Sequence, residues 1–198
     1  MNPKTLAFAF FLSGFAALVY QVTWQRTLFI AFGVDIESVT IIVSIFMLGL
    51  GSGGMLGGFL ADRFPTRILL AFCFAELLIA LIGLFSIDVI TGAGLRASGV
   101  STFFVAVFTF ALVLPPTLMM GATLPMLVAY AARISGNVGV ATGGLYFINT
   151  MGAALGAFAS GFVLLYWLDL RQATWVAAAA NGLSALTIAL SIWRKKVG

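Results

Sequence analysis

One acidic residue interrupts an otherwise uncharged hydrophobic run in this sequence: Glu76, between Ile68 and Ile87. It lies eight residues past Ile68, which is about 12 Å along a helix rising ~1.5 Å per residue. A charge at such depth costs about 2.5 to 3.5 kcal/mol on insertion scales, so residues of this kind face a bundle interior or a wet cavity and bind ions or pass protons. Two roles fit Glu76: a coupling or binding carboxyl for a small cation, or a protonated side chain hydrogen-bonded to a neighbouring helix. Its candidate companions are amides and aromatics of other runs, namely Tyr20, Gln21, Trp24, Asn149 and Asn181. Ser13, Ala17, Tyr20, Gln21 and Trp24 share one helical face, and Tyr146, Asn149, Ala153, Gly156 and Ser160 share another. Both faces are expected inside the protein, as a substrate path or as glue between helices. Trp24 beside Arg26 suits either an anion clamp at one mouth of the bundle or an anchor in the headgroup layer.

Other chemistry is excluded by counting. The chain has no His, one Cys (Cys73) and six carboxylates, so His-based catalysis, Cys-rich zinc sites and intramolecular disulfides are ruled out. No nucleophile and base pair is visible, and no enzyme activity, cofactor or metal is expected. The net charge is +4, but the ten basic residues are scattered between hydrophobic runs, which argues against a nucleic-acid partner.

The elements that hold these residues follow from composition. The sequence is 62% hydrophobic and 8% charged, with a mean hydropathy of +1.16, against about 25% charged in a soluble domain. Lipid must be its solvent, and a bilayer core about 30 Å thick needs about 20 apolar residues per helix. Six such spans are expected in one all-α domain over 1–198, at approximately 5–25, 38–61, 68–87, 102–128, 140–167 and 172–193. With the N-terminus inside, Lys4, Arg63, Arg67, Arg133, Arg194, Lys195 and Lys196 are cytoplasmic, and Arg26, Arg96 and Arg171 are outside. That bias predicts both termini inside, in a bacterial or archaeal inner membrane. Asp35, Glu37, Asp88 and Asp169 fall outside, with only Asp62 inside, and the four Trp fall near span ends, at the headgroup layer. Pro115, Pro116 and Pro125 are expected to kink or open the fourth span, freeing carbonyls near Gly121.

The second and fifth spans repeat a pattern. Gly53, Leu56, Gly57 and Phe59 match Gly152, Leu155, Gly156 and Phe158 at an offset of 99. A weaker match of the third and sixth spans sets Glu76 opposite Asn181. Two copies of a three-helix unit must be inverted in the membrane, as in many secondary transporters. Glycines at 49, 53 and 57, and at 152 and 156, give small-residue ladders for close helix packing, a dimer contact or a sliding gate.

Gly58, Asp62, Arg63 and Arg67 resemble the loop signature of the major facilitator superfamily, with Pro65 where that pattern usually has Gly. Ser13-Gly14, Ala17-Leu18, Tyr20-Gln21, Trp24, Arg26, the segment Met120 to Pro125, and Asn149 to Ala153 with Gly156 and Gly161-Phe162 extend the likeness over nearly the whole chain. Together they resemble the membrane domain of spermidine synthase-like membrane proteins. The resemblance implies one half of a major facilitator fold, which a homodimer would complete. With Glu76 the one formal charge in the expected core, the leading reading is a carrier of a small, cationic solute, either polyamine-like or an ion. The alternative is a non-transporting anchor or accessory subunit of a larger complex, or of a separate aminopropyltransferase-like enzyme. The sequence ends at Gly198, directly after the last span, so polyamine synthesis by the chain alone is not expected.

Overall fold

A computed structural model describes residues 2–32, 35–96 and 102–197. The side chains of Asp35, Glu37, Arg96, Lys195 and Lys196, used above in the charge pattern, lie outside the described ones, as do Met1 and Gly198. The described residues form six long helices: α1 (Pro3–Phe32), α2 (Asp35–Arg63), α3 (Ile68–Arg96), α4 (Thr102–Ser135), α5 (Val138–Ala159) and α6 (Leu170–Val197). Between α5 and α6 the chain passes through a π-helical turn, Ser160–Leu164, and one further turn, Leu165–Trp167. All six helical stretches are long and apolar enough to cross a membrane. Large apolar side chains such as Met55, Phe74, Phe162 and Trp167 point outward, a surface suited to lipid rather than water. The chain is therefore an integral membrane protein.

Short, chemically explicit turns reverse the chain. Gly136 ends α4 with a φ of 69°, the left-handed conformation that a glycine adopts without strain, and its N–H returns to the Ala132 carbonyl. Asn137 then caps α5 by accepting from the Val140 N–H at 3.0 Å. Before α6, the Asp169 carboxylate accepts from the Gln172 N–H at 2.7 Å, while the Gln172 side chain accepts from the Asp169 N–H at 3.2 Å. That reciprocal pair satisfies two otherwise free amide donors. Arg133 on α4 ties down the turn between α2 and α3, donating to the carbonyls of Pro65 (2.9 Å) and Ala61 (3.3 Å).

Glycine decides which helices touch. A methyl group at Gly53 or Gly57 would strike the α4 backbone at Leu118 or Ala122, and one at Gly49 would strike Thr117. On the other side of the bundle, Gly152 and Gly156 lie against the Phe11 and Phe15 backbone of α1, and Gly14 lies against Asn149. The ladders are thus used inside the chain, pairing α2 with α4 and α5 with α1. Two buried clusters fill the bundle, one around Tyr20, Trp24, Phe46 and Ile79, the other around Phe10, Phe72, Leu127 and Ile188.

The fourth helix does not open at its prolines. Pro115, Pro116 and Pro125 lie inside α4, yet it runs unbroken from Thr102 to Ser135. The Thr117 hydroxyl donates to the carbonyls of Val113 (3.0 Å) and Leu114 (2.9 Å), which tightens the turn after the two prolines; the carbonyls that lose their i+4 amide donor are those of Ala111, Leu112 and Gly121. Gly121 is covered by the Leu50 backbone, so its neighbourhood is packed rather than open.

Candidate functional site

Glu76 is fully buried where α1, α3 and α6 meet. Ser13 on α1 donates its hydroxyl to Oε1 at 2.6 Å, and Asn181 on α6 donates Nδ2 to Oε2 at 2.7 Å. Ser184, one turn beyond Asn181, also faces the carboxyl, while its hydroxyl donates to the Ala9 carbonyl at 2.9 Å. Among the described residues no cationic side chain acts on Glu76. The Asn181 side chain is 1% exposed, and its Oδ1 has no hydrogen-bond partner.

The magnitudes are close to balance. Burying a carboxylate at mid-helix costs about 2.5 to 3.5 kcal/mol on insertion scales. Two hydrogen bonds to a charged acceptor return about 3 to 6 kcal/mol, at roughly 1.5 to 3 each. Neutral donors alone can therefore hold a charge here without a countercharge. Such a site is chemically suited to exchange a proton or bind a small cation.

An aromatic wall continues from this cluster along α1. Tyr20 stacks on Trp24 with ring centroids 5.0 Å apart, and Gly83 on α3 leaves room for the Tyr20 ring, which a methyl group there would strike. Trp24 Nε1 donates to Ser86 Oγ at 2.8 Å. At 1% exposure Trp24 is core, which overturns its reading as a headgroup anchor or outer clamp: its indole donor has a partner inside the bundle, so nothing draws it to water. Trp167, Trp175 and Trp193 remain exposed.

The other candidate residues separate. Asn149 does not reach Glu76; its Nδ2 donates to the Phe10 carbonyl at 3.1 Å and bonds α5 to α1. Tyr146 is 61% exposed and faces outward, against expectation, because the face of α5 that packs is set by Gly152 and Gly156 rather than by its polar residues. Gln21 is half-buried on α1, about two turns past Ser13. Gly58 opens onto free space, and Asp62, Arg63 and Arg67 are exposed at the turn between α2 and α3. Ser184 and Ser86 were not singled out from the sequence; a serine in a membrane helix is too common to signal a role.

Two cavities open at the ends of the bundle. One of about 380 Å³ lies near the N-terminus between α1, α4 and α5, lined by apolar residues including Leu6, Ile134 and Leu145. The other, about 510 Å³, lies at the opposite end beside Arg26, Asp169 and Arg171. There Arg171 pairs with Asp88, both side chains about half exposed. Among the described residues no cluster of His, Cys, Asp or Glu could hold a metal ion. Compared with protein-family models, with curated proteins and with solved structures, the chain matches none.

Proposed function

We propose that this chain is a half-transporter: a six-helix unit that works as a homodimer in the inner membrane, with both termini cytoplasmic, and carries a small cationic solute, either polyamine-like or an inorganic ion. The observation that carries this reading is Glu76, fully buried without a countercharge among the described residues and held by neutral donors from two other helices. A residue so costly to insert marks a function by default. The resemblance to the membrane domain of spermidine synthase-like proteins adds polyamine to the solute classes worth testing.

Transporters of this kind are built from inverted repeats with the site at their interface, and the helix contacts support a 3+3 repeat here. Gly152 faces Phe11 and Phe15 as Gly53 faces Leu118 and Ala122, Gly156 faces Phe15 as Gly57 faces Ala122, and Gly14 faces Asn149 as Gly121 faces Leu50. These three pairs follow one rule, an offset of 99 from α2 to α5 and of 107 from α1 to α4. The offset of 105 that sets α3 on α6 makes Glu76 and Asn181 equivalent, and these two side chains bond each other. The bond would then cross the repeat axis.

The test is reconstitution of the full chain in liposomes, with uptake of labelled spermidine, sodium or potassium driven by a proton gradient. Uptake by wild type that Glu76→Gln abolishes, with folding retained, is expected. No flux of any of these, together with an obligate co-purifying protein, would replace this reading with that of an accessory subunit whose Glu76 only joins helices.

A further inference from the structure

We propose, resting on the reading of Glu76 as an exchange site, that the ion exchanged there is a single proton and that the Asn181 amide turns over as the proton comes and goes. In the arrangement observed, both carboxyl oxygens accept hydrogen bonds, Oε1 from Ser13 and Oε2 from Asn181 Nδ2. That arrangement suits a carboxylate and leaves the buried Asn181 Oδ1 without a donor. A proton on Oε2 cannot face an N–H donor. A half-turn of the amide about its last torsion exchanges Oδ1 for Nδ2, so that Oε2–H donates to Oδ1 and the orphaned acceptor is satisfied, while Nδ2 moves to the place that Oδ1 leaves. One proton is taken up, one N–H···O bond is replaced by one O–H···O bond, and no other bond changes.

Larger or more demanding ions fit less well. A divalent metal lacks its ligand cluster among the described residues. An alkali ion needs several oxygens converging on one point, whereas Ser13 and Asn181 turn hydrogens toward the carboxyl. An organic ammonium has no space between atoms 2.6 and 2.7 Å apart. The titratable groups that feel Glu76 are Tyr20 on α1 and Cys73 on α3 itself. Among the described residues, those of α6 that act on it are Asn181 and Ser184, and no charged group of α4 does. Cys73 is engaged with the Ala185 carbonyl at 3.5 Å and the buried Tyr20 hydroxyl makes no hydrogen bond to the carboxyl, which leaves Glu76 and Asn181 as the bonded pair that changes.

The sequence contains two glutamates, Glu37 and Glu76, so full-length Glu37→Gln protein labelled with carboxyl-13C glutamate reports Glu76 alone. Difference infrared spectra of this protein in liposomes should show the labelled carboxylic C=O band vanishing as pH rises, with a coupled asparagine C=O change. In Asn181→Leu the asparagine change should be lost and the carboxyl midpoint should move by about 1 to 2 pH units, the equivalent of a hydrogen bond to an ionised group. Sodium and spermidine should alter neither band. A carboxyl band unchanged wherever the protein stays folded, a change that requires sodium or spermidine, or an asparagine change that survives Asn181→Leu would each overturn the proposal. If the band titrates while the liposomes accumulate no solute, the proton site stands and the transport reading falls.

Discussion

Gly152→Ala tests whether close backbone contact holds α5 to α1. The new methyl carbon would fall on the Phe11 carbonyl oxygen, 2.9 Å from the Phe11 carbonyl carbon and 3.1 Å from the Phe15 nitrogen. All three are backbone atoms and cannot swing aside, so the helices must part along the crossing. Overpacking of this kind costs about 1 to 3 kcal/mol, and parting also strains the Asn149 bond to the Phe10 carbonyl. Against this, alanine favours a helix over glycine by roughly 0.5 to 1 kcal/mol. The two ranges leave a net loss of about 0 to 2.5 kcal/mol, to which the strained Asn149 bond adds. Gly143→Ala on the same helix meets nothing within 4 Å and should keep the helix gain without the clash. Gly53→Ala on α2, aimed at the Leu118 carbonyl, should behave as Gly152→Ala does. Reversible unfolding in mixed micelles of increasing SDS fraction, followed by circular dichroism, measures all three. Gly152→Ala as stable as wild type, or Gly143→Ala as costly as Gly152→Ala, would refute the reasoning.

Trp24→Phe removes the donor to Ser86 and should cost about 1 kcal/mol for the hydrogen bond alone in the same unfolding assay; an unchanged midpoint would contradict the buried placement of Trp24. Cys73 is 8% exposed, so it should resist maleimide in folded protein and react only after unfolding, as read by mass spectrometry. Arg171→Gln should change stability by no more than about 1 kcal/mol, because its pair with Asp88 is half exposed and screened; a larger loss would mean the pair does more than close the bundle end. Single cysteines at Thr66 and Ser135 should be labelled from the cytoplasmic side in cells, and one at Leu168 from the other side, since the turns they occupy lie at opposite ends of the bundle. Labelling of Thr66 and Leu168 from one side would contradict the six-span order.

The number and order of helices were legible because uncharged runs of this length have few other uses. The helices run up to nine residues past the expected spans, as at Ile68–Arg96, since charged residues at helix ends do not stop a helix. Which face packs was harder to read. In lipid both faces are apolar, so hydrophobic periodicity carries little, and glycine spacing with a few polar residues must stand in for it. Glycines 53, 57, 152 and 156 did so correctly as packing surfaces, and Glu76 with Asn181 followed from aligning two helices. The reading failed where residue type suggested a place that the neighbours overrule. Trp24 finds its donor partner in Ser86, Asn149 spends its amide on a backbone carbonyl, and Tyr146 lies on the side of α5 away from Gly152.

Two of the bonds that fix α1 span most of the chain: Asn149 to Phe10 across 139 residues, Ser184 to Ala9 across 175. A ribosome delivers α1 to the membrane first, long before α5 and α6 leave the exit tunnel. Ser13 and Trp24 gain Glu76 and Ser86 once α3 is made, but the Phe10 and Ala9 carbonyls wait for Asn149 and Ser184. The first helix made is the last to be secured, and a truncation that removes α6 would leave Glu76 without Asn181 while α1 waits for Ser184. Biogenesis of this protein is therefore exposed to insertase or chaperone help at its beginning, and its nascent intermediates are where quality control would act.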